Sequence, residues 1–265
     1  MNILMQELKM GRKSLIVWCA SLVGTFTVFM MLYPFISEQA ATFTKVFESF
    51  PPEFRKAFGL TTTNLGEVLG YYSFAFLYII LAGAVQAMNL GVSILSAEVR
   101  EKTGDFLFVK PVKRTKIITL KIVAVLIELG IVNIVICLAN LIIINLVSKE
   151  AFDIKLYLLL TGTLLFIQLF FASLGLAVSV FLRRIRTVLP ISMGVVFLFY
   201  IIYLLNQTLE DPKLAWISPF GYFDLAYVSE HVAYQGKFIA AWFVLSAIFI
   251  FFTYKLFTKK DLPSI

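Results

Sequence analysis

One carboxylate, Glu128, stands inside a long apolar run. Such a group is a functional hypothesis by default, because hydrocarbon leaves its charge unsolvated. It lies seven residues past Lys121, about 10 Å along a helix. Two roles stay open for it: a structural partner for headgroups or a lysine, or a group that meets a substrate or a proton. Gln86, Asn89 and Ser93 are a second set, spaced to share one helical stripe. Their amides and hydroxyl must meet other helices or a wet cavity, since hydrocarbon would leave the donors and acceptors unmet. Both readings, contact between helices and a solute pathway, fit that stripe. Charge is concentrated in the stretch 98–121, which holds seven of the 23 basic residues.

Other chemistry is missing. The sequence has no G-x-x-x-x-G-K-[ST] loop to cradle nucleotide phosphates and no G-x-S-x-G turn for a nucleophilic serine. His231 is the single histidine, beside Glu230 in a polar loop, which leaves histidine-rich metal sites without ligands. Cys19 and Cys137 both fall in apolar segments and read as neither a disulfide nor metal ligands. Nothing here assembles a catalytic site, so the chain reads as not catalytic by itself.

These residues must be positioned by membrane helices. Of 265 residues, 60% are hydrophobic and 15% charged, against roughly 25% charged in soluble domains; the mean hydropathy is +0.90. The apolar runs predict an all-α membrane protein with six spans, near 15–36, 68–95, 122–147, 156–182, 188–205 and 238–257. They form one domain over 1–265, with no internal repeat. Before the first span, Leu4, Leu8, Gly11 and Leu15 share a face while Asn2, Gln6, Lys9 and Lys13 take another. That pattern predicts an amphipathic helix in the headgroup layer, its basic side towards anionic lipid. In the second span Gly83, Ala87 and Gly91 are spaced for close helix contact, and Gln168, Ala172, Gly175 and Ser179 share a face of the fourth. Pro190 falls in the first turn of the fifth, where proline is tolerated.

Two intervals on the far side are long. In 37–67, Phe43, Val46, Phe47 and Phe50 predict a short surface helix that Pro51 and Pro52 stop. It fits a gate or cap as well as an interfacial helix. In 206–237, the aromatics Trp216, Phe220, Tyr222, Phe223 and Tyr227 predict contact with the membrane interface. On the near side, 16 of the 23 Lys and Arg residues flank the spans, against seven on the other. Positive-inside then places both termini in the cytoplasm. The net charge of +7 therefore reflects topology, with no nucleic-acid partner.

The connector 98–121 has internal structure. A helix end at Glu98–Lys102 runs into turn chemistry at Thr103 and Gly104; Phe106 to Val109 form an apolar patch, and Pro111 makes a second corner. A basic anchor needs no such patch, which favours a docking surface. Here the chain resembles the permease subunits of ABC-2 type transporters, through Glu98, Lys102, Thr103, Gly104, Pro111, Val112, Arg114, Ile118 (one place off the usual spacing) and Lys121. The resemblance extends to the basic N-terminal helix and the six-span layout.

It implies a cytoplasmic coupling helix within 98–121 resting on a separate ABC ATPase subunit, through Glu98, Glu101, Lys102, Thr103, Gly104, Phe106, Pro111 and Arg114. ATP and Mg would be bound by that ATPase, and this chain would bind no cofactor. A second permease subunit, identical or related, would complete a pathway in a bacterial plasma membrane. Gln86, Asn89, Ser93 and Glu128 are its candidate lining. The family allows antibiotics, antimicrobial peptides or lipid-like molecules as cargo of an exporter. In some members the region corresponding to 206–237 re-enters the outer leaflet as a helix pair. The rival class is a non-transporting polytopic scaffold or peptide-immunity factor, which needs no ATPase.

The charge asymmetry makes a topological prediction. In a background lacking Cys19 and Cys137, a cysteine replacing Thr62 is expected to react with an impermeant maleimide on intact cells. A cysteine replacing Thr103 is expected to stay unlabelled. The opposite pattern overturns the orientation.

Overall fold

The computed structural model describes residues 3–57, 64–100, 113–148, 151–182, 187–209 and 211–259. They form twelve helices and, among these residues, no strand. In chain order these are α1 (Ile3–Met31), α2 (Tyr33–Glu38), α3 (Ala40–Glu48), α4 (Pro52–Ala57), α5 (Val68–Arg100), α6 (Arg114–Val147), α7 (Ile154–Phe181), α8 (Leu189–Leu209), α9 (Pro212–Ala215), α10 (Pro219–Tyr222), α11 (Leu225–His231) and α12 (Gly236–Lys259). Six stretches are long and apolar enough to cross a membrane: α1 with α2, then α5, α6, α7, α8 and α12. Helices suit that role because each satisfies its backbone groups internally.

The bundle is built around α5 and α7, whose apolar windows are two-thirds buried, against a third or less for the other four spans. Small residues let the two backbones touch. A Cβ on Gly91 would stand 2.4 Å from the Ala172 carbonyl oxygen, and one on Gly175 would stand 2.7 Å from that of Met88. The small-residue faces expected on the second and fourth spans therefore meet each other. Around this pair α1 packs against α5 and α6, α8 against α5, and α12 against α7 and α6. Large side chains on the outer helices, such as Val28, Ile134, Leu198 and Phe243, are exposed as lipid-facing residues should be.

Two expectations change in detail. The N-terminal basic stretch is no separate interfacial helix, because α1 runs unbroken from Ile3 to Met31. Gly11 alone does not stop a helix, costing about 1 kcal/mol against alanine. Its neighbours Lys9, Arg12 and Lys13 still face outward. The third span begins earlier than 122, since α6 starts at Arg114 and carries Lys121 in its third turn.

The interval 206–237 folds as α9, α10 and α11, capped at the N-terminus of α9 by Asp211 and of α11 by Asp224. Phe220, Tyr222 and Phe223 go inward rather than to an interface, while Tyr227 is partly exposed and Trp216 half exposed. Phe223 stacks on Phe166 at 4.8 Å and Tyr222 on Phe238 at 5.3 Å, while Phe220 meets Phe171 at 5.5 Å. Burial pushes the Asp224 carboxyl above its usual range, partly offset by hydrogen bonds from Gln207, the Ala226 amide and Tyr203. In the other interval, α3 has no buried residue, and rings from Phe43, Phe47, Phe50 and Phe54 follow one another along it and into α4.

The α5–α7 contact separates two substitutions. Gly91→Ala drives a methyl into the Ala172 carbonyl, which cannot step aside, and should cost about 1–3 kcal/mol as overpacking does. Gly83→Ala meets the flexible end of Leu164 at 2.5 Å and gains helix propensity, so it should stay within about 1 kcal/mol of wild type. Thermal unfolding in detergent checks the difference.

Candidate functional site

The four candidate pathway residues converge. Gln86, Asn89 and Ser93 on α5 and Glu128 on α6 line one cavity of about 200 Å³, closed on its third side by α1 through Glu7, Gly11, Ser14 and Trp18. It sits towards the end of the bundle from which α5 leaves for the connector and α6 returns. Glu7, Gly11, Ser14 and Trp18 follow i, i+4, i+7, i+11, so one face of α1 supplies that wall. Glu128 is 4% exposed and lies against Gly11, where a Cβ would stand 2.2 Å from its Oε1. The glycine is thus what leaves room for the carboxylate. No described residue donates a hydrogen bond to Glu128 or pairs with it.

The lysine that could have answered Glu128 is engaged elsewhere. Lys121 is 1% exposed, and its Nζ donates to Glu7 Oε1 at 2.7 Å and to the Ile94 carbonyl at 2.7 Å. One buried ammonium therefore ties α6 to α1 and to α5, next to the connector. A charge at this depth is kept only when paired and hydrogen-bonded.

Above the cavity a chain of amides crosses three helices. Asn133 Nδ2 on α6 donates to Gln168 Oε1 on α7 at 2.6 Å, and Gln168 Nε2 donates to Gln86 Oε1 on α5 at 2.9 Å. Gln86 thus serves as helix-to-helix contact as well as cavity wall. Asn89 and Ser93 make no side-chain hydrogen bond among the described residues and are part-exposed to the cavity. Further along, Tyr72, Thr161 and Asn140 form a second buried cluster, with the Tyr72 and Thr161 hydroxyls 2.7 Å apart and Asn140 Nδ2 3.4 Å from the tyrosine.

Of the coupling residues, Arg114 opens α6 and its Nη1 reaches the Thr258 carbonyl on α12 at 3.5 Å. That contact brings the start of α6 and the end of α12 together, and Thr119 meets Tyr254 one turn on at 2.8 Å. Glu98 belongs to the last turn of α5. Glu101, Lys102, Thr103, Gly104, Phe106 and Pro111, with the expected coupling helix, lie outside the described residues.

Sequence reasoning missed the α1 wall. Its signal was the Glu7–Gly11–Ser14–Trp18 spacing, which shares Gly11 with the leucine face read for an amphipathic helix but otherwise falls on neither of the two faces. The Glu7–Lys121 pair, 114 residues apart, left no local signal.

A bundle of six helices long and apolar enough to cross a bilayer, with a polar cavity between three of them, is the architecture of a multi-pass membrane protein. A family model for ABC-2 family transporter proteins matches residues 1–262, and the chain belongs to that family. Membership implies an ABC permease, a membrane subunit associated with an ATPase subunit. A comparison with curated proteins gave no match.

The buried ammonium gives a stability prediction. Lys121→Met leaves Glu7 and the Ile94 carbonyl without their donor, and should cost about 3–5 kcal/mol, as breaking a buried pair does. Adding Glu7→Leu should recover part of that loss, because the stranded carboxylate goes too. Equal stability of Lys121→Met and wild type in thermal unfolding overturns this account of the pair.

Proposed function

We propose that this chain is the permease subunit of an ATP-driven exporter, powered by a separate cytoplasmic ATPase that docks on the connector 98–121. Both termini and the connector face the cytoplasm of a bacterial cell. Two permease subunits, identical or related, flank the route. The cargo is an antibiotic, an antimicrobial peptide or a lipid-like molecule. ATP and Mg belong to the ATPase; this chain contributes no catalytic group.

One observation carries the reading. The candidate pathway residues share a cavity whose walls are tied by Lys121 to the helix ends that enter and leave the connector. A push on the connector therefore acts on α5 and α6, and through Glu7 on α1. Those three helices are the walls of the cavity. Energy delivered at Glu98, Glu101, Lys102, Thr103, Gly104, Phe106, Pro111 and Arg114 would reach Gln86, Asn89, Ser93 and Glu128 without crossing the bundle.

The test is docking. Gly104→Val disfavours a turn that a residue with a Cβ adopts poorly, and Glu101→Lys reverses charge at the contact surface. Both variants should insert normally, since neither touches a span, and both should lose co-purification with the ATPase and transport. Unchanged co-purification and transport in both would reduce the connector to a positive anchor. A scaffold or immunity factor predicts that outcome, together with full function when no ATPase is present.

A further inference from the structure

We propose that the α1–α5–α6 cavity is a binding site for a single positive charge of the ammonium class, with Glu128 as its counter-ion. The proposal rests on the pathway reading and adds to it the chemistry of what enters.

The lining carries two carboxylates, Glu7 and Glu128, and no lysine or arginine. Glu7 is already answered by Lys121 at 2.7 Å. Glu128 has no such answer: it is 4% exposed, faces the cavity, and receives no hydrogen bond from any described residue. The lining therefore offers Glu128 no positive partner among the described residues, and an ionised carboxylate at this depth needs one. A buried carboxylate without a partner is costly, and a ligand that brings the missing charge recovers that cost on binding. The other walls suit a cation too. Asn89 and Ser93 offer oxygen acceptors not used elsewhere among the described residues. Trp18 presents an indole, the ring that attracts cations most strongly. About 200 Å³ holds several waters or a small ammonium head with its first carbons. Larger parts of a ligand would have to extend past the cavity. An anion would meet two carboxylates and no lysine or arginine in the lining.

The experiment uses Ser93→Cys in the purified full chain in lipid nanodiscs, open on both faces, with Cys19 and Cys137 replaced by alanine. Two methanethiosulfonates of similar size are compared, one ending in trimethylammonium and one in sulfonate. The exposed Thr44→Cys on α3 is the reference. Charge focusing in the cavity should favour the cationic reagent at Ser93→Cys by about tenfold over the preference at the reference. Glu128→Gln should abolish the preference and Glu128→Asp should keep most of it. Tetramethylammonium should slow the reaction with Glu128 left intact, a measurement that does not depend on how the variants fold. Reaction with both reagents at equal relative rates, or a preference untouched by Glu128→Gln, overturns the ammonium site and leaves a wet pathway standing. Failure of both reagents at Ser93→Cys, with normal reaction at Thr44→Cys, means a cavity closed to solutes and removes the pathway reading along with the site.

Discussion

Two helices in this bundle approach until backbone meets backbone. Gly91 sits on the carbonyl of Ala172 and Gly175 on that of Met88, so α5 and α7 can lie closer than any side chain would allow. In lipid no hydrophobic force draws helices together, and association rests on packing and on polar contacts between helices. The glycine contact supplies the first. It also sets the reach of the second: Gln86 and Gln168 join at 2.9 Å, and Tyr72 and Thr161 at 2.7 Å, each pair bridging the same two helices. Everything else is hung on that pair.

The outer helices are held by fewer and more polar devices. Glu7 on α1 and Lys121 on α6 close one corner, with the Ile94 carbonyl of α5 as the third party. Arg114 and Thr119 bring α6 to α12 at the same end. At the opposite end Tyr71 on α5 donates to the Phe29 carbonyl in the last turn of α1, and Tyr33 at the start of α2 donates to the Gly66 carbonyl just before α5. The aromatic short helices α10 and α11 fill the space between α7, α8 and α12 there. The near end thus holds its charges inside the bundle, and the far end is packed with rings. That contrast leaves the polar cavity at the end where α5 leaves for the connector and α6 returns.

Membership of the ABC-2 family and the cavity bear on each other. The α1 face carrying Glu7, Gly11, Ser14 and Trp18 walls a polar cavity between α5 and α6, with Gly11 leaving room for Glu128. A cavity walled by three helices that are separate in sequence can change shape when one of them moves. The amide chain from Asn133 to Gln86 gives it a fixed roof.

Six spans, their order and their all-helical nature were legible in the sequence, because lipid admits few alternatives to a long apolar helix. The close-contact faces were legible too: Gly83, Ala87 and Gly91 on one span and Ala172 and Gly175 on another announce themselves by spacing. So was the stripe of Gln86, Asn89 and Ser93. Which of these faces meet was not, because spacing fixes the face of a helix and says nothing of its neighbour. Only tertiary structure decided that Lys121 answers Glu7 and leaves Glu128 unpaired. An ion pair across 114 residues depends on three helices arriving at one corner, and no local pattern records that. The run of α1 through its basic turns was decided the same way: a helix that could have lain on the headgroups goes straight on, held by Glu7 and by the contact of Gly11 with Glu128.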